Sequence, residues 1–192
     1  MSFMPIKIFI DQGHNPTGNP NTGAVGNGLA EQDITYTVGK YLYDLLENNE
    51  EFSAMLSRPS EDTSLGTSNA TSLMERVRMA NLWGADYFIS IHTNGSVNPQ
   101  SNGTEAYVYR LDTEAYYLAV NIVDAITARM GTADRGVFAR PSLYVLRRTS
   151  MPALLVELGF ISNYSDAMKM STDPYGFAFA IYTGILKYFG LS

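Results

Sequence analysis

The feature that most restricts this chain is an alternation. Short apolar runs rich in β-branched and aromatic residues alternate with longer stretches whose apolar residues recur every three or four positions. Such runs suit buried strands, and the longer stretches suit helices packed over them. The pattern predicts an α/β fold: a single domain with a mostly parallel twisted sheet of about six strands and helices on both faces. Strands are expected at "IKIFID" (6–11), "FSAMLSR" (52–58), "ADYFISIH" (85–92), "TEAYVYR" (104–110), "SLYVLR" (142–147) and "PALLVEL" (152–158). Helices are expected over 29–49, 72–83, 113–130 and 173–190. Ile34, Val38, Leu42 and Leu45 share one face of the first helix, and Glu31 and Asp33 lie in its first turn, where the helix dipole favours acids. Gly131 is a natural stop for the third helix, and Pro174 suits the first turn of the last. The Gly/Asn/Pro-rich segment from Gly13 to Gly28 reads as one long loop, and loops of that length in compact domains are more often functional than not.

Composition removes several function classes. The 192 residues predict one domain over 1–192. A formal net charge of −6 argues against a nucleic-acid partner, which needs a basic patch. No apolar run approaches the roughly 20 residues of a membrane span, so no membrane insertion is expected. The opening "MSFMPIKIFID" lacks the pattern of a signal peptide. Cysteine is absent, which excludes disulfides, a thiol nucleophile and thiolate ligands. A metal in this chain must be held by histidine and carboxylate.

There are only two histidines, and both follow apolar runs. "IKIFID" leads to His14 and "YFISI" to His92, while "PALLV" leads to Glu157. Ligands in open α/β sheets bind beyond the carboxyl ends of the strands, so parallel neighbouring strands would bring these three side chains to one edge. A histidine where a strand surfaces, and a glutamate in a buried ion pair with an arginine, are the plain alternatives. Glu31, at the head of the first helix, follows the loop that begins at His14 and supplies a third ligand. Two imidazoles and one carboxylate form the His₂Glu set of catalytic zinc sites. Glu157, in the apolar setting "ALLVELGF", is then the unligated carboxylate that burial poises as a general base. Asp11 and Asp33 are rival carboxylates, with Asp11 assigned to orienting a ligand or capping the loop.

Four blocks carry a family resemblance: "IDQGHN", "GAVGNGLAEQD", "SLMERVRMANLWGADYFISIHTNG" and "RPSLYVLRRTSMPALLVELGFISN". In that order they resemble the zinc-dependent N-acetylmuramoyl-L-alanine amidases of bacteria and phages, the type-3 amidase catalytic domain, over nearly the whole chain. The resemblance implies one zinc per chain on His14, Glu31 and His92, with Glu157 as catalytic base. It implies hydrolysis of the amide between the lactyl group of N-acetylmuramic acid and L-alanine, so that peptidoglycan is the partner and the cell wall the place of action. Gln12 replaces a common proline and "HTNG" a more usual "HANA". Asn94 is expected to touch substrate, and Arg58 and Arg76 to make structural ion pairs. No separate wall-binding module is expected in 1–192, nor a leader, which suits a lysin held in the cytoplasm until release or a trimmed secreted protein. Two other readings stand beside this one: another zinc peptidase of the stem peptide, and a non-catalytic, zinc-stabilised wall-binding or regulatory domain.

Overall fold

The computed structural model describes residues 4–191. Strands β1 (Ile6–Gln12), β4 (Phe52–Leu56), β5 (Tyr87–Asn94), β6 (Thr104–Val108), β7 (Asp134–Ala139) and β8 (Ala153–Phe160) form one sheet in the order β4-β1-β5-β8-β6-β7. The first four run parallel, β6 is antiparallel to β8, and β7 is parallel to β6. The two-residue strands β2 (Val25–Gly26) and β3 (Leu29–Ala30) make a small hairpin in the long loop. Six helices complete the chain: α1 (Glu31–Glu47), α2 (Asn69–Trp83), α3 (Glu114–Met130), α4 (Tyr144–Arg148), α5 (Tyr164–Thr172) and α6 (Pro174–Phe189).

Side chains alternate across a strand, so each strand feeds two cores. One face carries Ile8, Ile10, Ile89, Ile91, Val108, Leu154 and Val156, buried under α1, α3 and α6. The other carries Phe9, Phe88, Tyr107, Ala153 and Leu155, packed with Val77 and Ala80 of α2 and with Val145 and Leu146 of α4. Helix ends follow their caps. Ser68 and Thr71 form a capping box on α2, Thr113 caps α3, Asp173 caps α6 ahead of Pro174, and α3 stops at Gly131 with φ 63°.

Two expectations fail in a connected way. The segment 142–147 is not a strand, because its residues 144–148 form α4. The missing sixth strand is instead β7, which starts with charged residues and runs along an exposed edge. Since β7 runs antiparallel to β8, it ends at the edge where β8 begins. The link need not cross the sheet, and a single helical turn that buries Val145 and Leu146 suffices. The helix α5 was also not anticipated from the sequence. It is short, and it is capped by Asn163, whose side chain accepts from the Asp166 amide.

Candidate metal centre and active site

Strands β1, β5 and β8 are adjacent and parallel, so their carboxyl ends share one edge of the sheet. His14 follows the end of β1, His92 lies near the end of β5, and Glu157 pairs directly with His92 in the register of β5 and β8. Glu31 opens α1 and is buried. Donor atoms of His14, Glu31 and His92 all lie within 4.8 Å of one another.

The carboxylate of Glu31 is shared between the imidazoles. Oε2 lies 3.2 Å from His14 Nε2, and Oε1 lies 3.0 Å from His92 Nδ1. The same oxygens accept backbone amides, Oε2 from Ala24 at 2.8 Å and Oε1 from Thr93 at 2.9 Å. Burial pushes this carboxyl up, but hydrogen bonds from both imidazoles and their charge outweigh it and hold Glu31 well below the usual range. His14 Nδ1 lies 3.2 Å from the Asn21 carbonyl, which can only accept, so that nitrogen carries the proton. The hydrogen bond from Nε2 to Glu31 Oε2 then exists only in the doubly protonated ring, and in the neutral ring the two atoms meet lone pair to lone pair. That contact calls for a cation between them, and the set has the size a single ion needs, with donors on one tetrahedral zinc about 3.4 Å apart.

The loop is built to hold His14 in this place. His14 has φ 71°, a left-handed backbone that non-glycine residues rarely adopt. The buried Arg76 of α2 clamps it, donating to the Gln12 carbonyl at 2.6 Å and the His14 carbonyl at 2.7 Å. Arg76 also pairs with Asp11 at 2.6 Å, and Ser90 Oγ donates to the second Asp11 oxygen at 2.7 Å. Burial pushes the Asp11 carboxyl up, and Arg76 with Ser90 more than reverses this, so it stays below its ordinary value. Asp11 thus reaches the centre only through the arginine that grips the His14 turn. Buried Asn15 ties the same turn to the Leu65 carbonyl at 2.9 Å, and Gln32 reaches Thr17 at 2.8 Å. A Cβ on Gly13 would stand 2.5 Å from the His92 ring, and one on Gly23 2.6 Å from Glu31 Oε2. These two glycines leave the space the ligand side chains occupy.

Glu157 is half-buried, and its Oε2 is shielded with no hydrogen-bond partner. Burial first, then the negative charges of Glu31 and Glu105, push its carboxyl up to about 8, against a lowering by Arg140. Glu105 faces Glu157 from the other side in the β6–β8 register. It is buried and engaged by Asn94 Nδ2 at 2.7 Å, by Arg135 Nε at 2.7 Å and by the Tyr107 hydroxyl.

Of the residues singled out in the sequence, His14, Glu31, His92 and Glu157 come together. Asp33 lies exposed beyond them on α1. Asn94 touches neither imidazole: its amide is held by Glu105. Arg76 makes the expected ion pair, but Arg58 does not. Arg58 is buried, donates to the Gln32 and Glu61 carbonyls at 2.9 and 2.8 Å, and lies over the Tyr36 ring. Glu105, Gly13 and Gly23 were not read as part of the site. A "GH" pair just after a strand is a signal that could have pointed to Gly13.

A parallel α/β sheet whose strand ends gather two imidazoles and a carboxylate beside a second, partnerless carboxylate has the make-up of a metal-dependent hydrolase. The family model described as Amidase_3, N-acetylmuramoyl-L-alanine amidase, matches residues 8–187, and the chain belongs to that family. The sporulation-specific N-acetylmuramoyl-L-alanine amidase of Bacillus subtilis (strain 168) is 38% identical over 174 residues, covering 88% of this chain and 62% of that protein. The chain therefore spans less than two thirds of that curated relative, and the same 62% holds for an N-acetylmuramoyl-L-alanine amidase of Bacillus licheniformis, also 38% identical over 88% of this chain. Among solved structures, an N-acetylmuramoyl-L-alanine amidase from Clostridium difficile 630 superposes with a TM-score of 0.85 at 28% identity, covering 97% of each chain.

Proposed function

We propose that this chain hydrolyses the amide between the lactyl group of N-acetylmuramic acid and L-alanine in peptidoglycan, and that it does so with zinc. The observation that carries the reading is one arrangement: three donors within 4.8 Å of one another, on the strand edge where Glu157 stands beside His92 with a buried, unpartnered oxygen. His14, Glu31 and His92 would hold the ion. Zinc bound there polarises a carbonyl and makes water a nucleophile near neutral pH.

The remaining work falls to the chain. Glu31 is kept ionised by its hydrogen bonds, and so offers a charged ligand rather than a neutral acid. The Asn21 carbonyl fixes the tautomer of His14, leaving Nε2 free to ligate. Glu157 makes no hydrogen bond to the ligand set and keeps an oxygen free to take a proton from the attacking water. Its burial favours the protonated form, so the resulting acid can return that proton to the leaving alanine nitrogen. On this reading the action is at the cell wall, in lysis or remodelling, which the membership of an N-acetylmuramoyl-L-alanine amidase family supports.

Product analysis on defined muropeptides tests this. Zinc-loaded protein should release a free alanine N-terminus with no new reducing sugar ends, and a chelator should stop it. New termini deeper in the stem would point to a peptidase instead. Glu157→Ala should lower turnover by roughly 10²–10⁴-fold while leaving one zinc per chain. Wall hydrolysis at the parental rate by that variant would remove Glu157 from the mechanism.

A further inference from the structure

We propose that Arg140 determines specificity by receiving a carboxylate of the stem peptide at the open β7 edge of the sheet face that carries Glu157. The proposal rests on the amidase reading. Helices α2 and α4 cover the part of this sheet face made by β1, β5 and β8. Beyond Glu157 the face continues to Glu105 and Tyr107 of β6 and then to Gly136 and Phe138 of β7, in register. Phe138 is 46% exposed, so nothing in the described chain caps this end. Gly136 stands in the same row as Glu157 and Glu105 and presents no side chain, which keeps the floor low beside the site.

Two guanidinium groups border this floor, and they differ. Arg135 is committed, since its Nε donates to Glu105 Oε2 at 2.7 Å. The other oxygen of Glu105 is taken by Asn94 and Tyr107. That buried acid is therefore satisfied from within. Arg140 is uncommitted. Its guanidinium lies over the Tyr107 ring, 4.6 Å from the centroid, and has no hydrogen-bond or ion-pair partner among the described residues. Its backbone is fixed, with its amide donating to the Val108 carbonyl at 2.8 Å and its carbonyl accepting from Leu143 at 3.1 Å. Stacking on a ring holds a guanidinium plane and leaves its edge N–H donors pointing outward, the geometry that takes a carboxylate by two parallel hydrogen bonds. The Tyr107 ring beneath it donates its hydroxyl to Glu105, which pairs with Glu157 across β6 and β8, so Arg140 borders the site.

The chain as a whole carries a net charge of −6 and repels anions. A lone cation beside the proposed base offsets this where the peptide branch leaves the scissile bond. A free carboxylate on the residue after L-alanine would be held there, and a carboxamide, which carries no charge, would not. Arg140 would distinguish the two.

The test compares muropeptides whose second residue bears a free α-carboxylate or a carboxamide. Steady-state kinetics use zinc-loaded parent, Arg140→Gln and Arg140→Lys. Calorimetric Kd values use Glu157→Gln with and without Arg140→Gln. The parent should favour the free carboxylate by about tenfold or more in kcat/KM, and the Glu157→Gln protein by a similar factor in Kd. Arg140→Gln should erase the preference through KM on the free-carboxylate substrate alone, and Arg140→Lys should restore part of it. Equal binding of both substrates by the parent, or the same loss on both in Arg140→Gln, overturns the proposal. If neither substrate yields a free alanine, the amidase reading fails, and the Kd comparison still decides for or against Arg140.

Discussion

His14 occupies a backbone region that costs of order 1–3 kcal/mol for a non-glycine residue, and Arg76 is what makes it tolerable. One buried guanidinium closes the turn by holding the carbonyl groups of Gln12 and His14, on either side of Gly13, and Asp11 keeps that guanidinium neutralised. Lysine carries the charge but not the planar set of donors. Arg76→Lys should therefore lower zinc affinity by roughly 10–100-fold, read by competition with a chromophoric chelator, while far-ultraviolet dichroism stays parental. Glu157 offers a second measurement. In the metal-free protein its carboxyl lies at about 8 against an ordinary 4.5, so the folded state holds a proton the unfolded chain has lost. Its contribution is intact below pH about 4.5 and is lost as pH rises through about 8. Glu157→Gln should flatten that decline, so chelated variant and parent should diverge in Tm between pH 5 and pH 9, with the variant ahead at the alkaline end. A Tm difference that is constant with pH would count against a protonated Glu157.

At the level of elements, helix α6 lies against both α1 and α3. Gly184 lets it pack tightly on α3, because a Cβ there would stand 2.6 Å from the Ile122 Cα. The obstacle is backbone, which cannot swing aside. Gly184→Ala should cost about 1–3 kcal/mol and lower Tm by several degrees, with kcat per folded molecule unchanged. In the sequence this glycine only weakens a helix; its reason lies on another helix. The same holds for the elements the sequence misplaced. "SLYVLR" has the composition of a strand, and what makes it a helical turn is that β7 and β8 meet at one edge. "DRGVFA" is polar at its start because it borders solvent, and so it lacks the apolar run that revealed β1, β5 and β8. The apolar strands, the edge strand β4 among them, declare themselves in sequence, whereas the polar edge strand β7 is fixed by its neighbour β6.

Across the whole molecule, the candidate ligands come from three separate elements, so a bound ion ties together the β1 loop, the head of α1 and the end of β5. Anything that binds the folded state alone stabilises it by mass action. Zinc at 100 times its Kd should add about 2.7 kcal/mol, seen as a rise in Tm that a chelator reverses. His14→Ala should abolish that rise. Four site residues were legible because each ends an apolar run or heads a helix after a long loop. Glu105 was not. In "TEAYV" it reads as the solvent side of an alternating strand, and its burial depends on Arg135 from the neighbouring strand and on Asn94 across the site.

The open β7 edge of the sheet has a mechanical consequence. A tunnel must be threaded from a free end, whereas a shelf can be laid against a polymer that is anchored at both ends. With Phe138 exposed and Gly136 leaving the floor low, the approach to Glu157 is from the side. A chain built this way needs no loose end to begin on. On the proposed substrate it would dock at any peptide branch that projects from the polymer, with both ends of the strand still anchored.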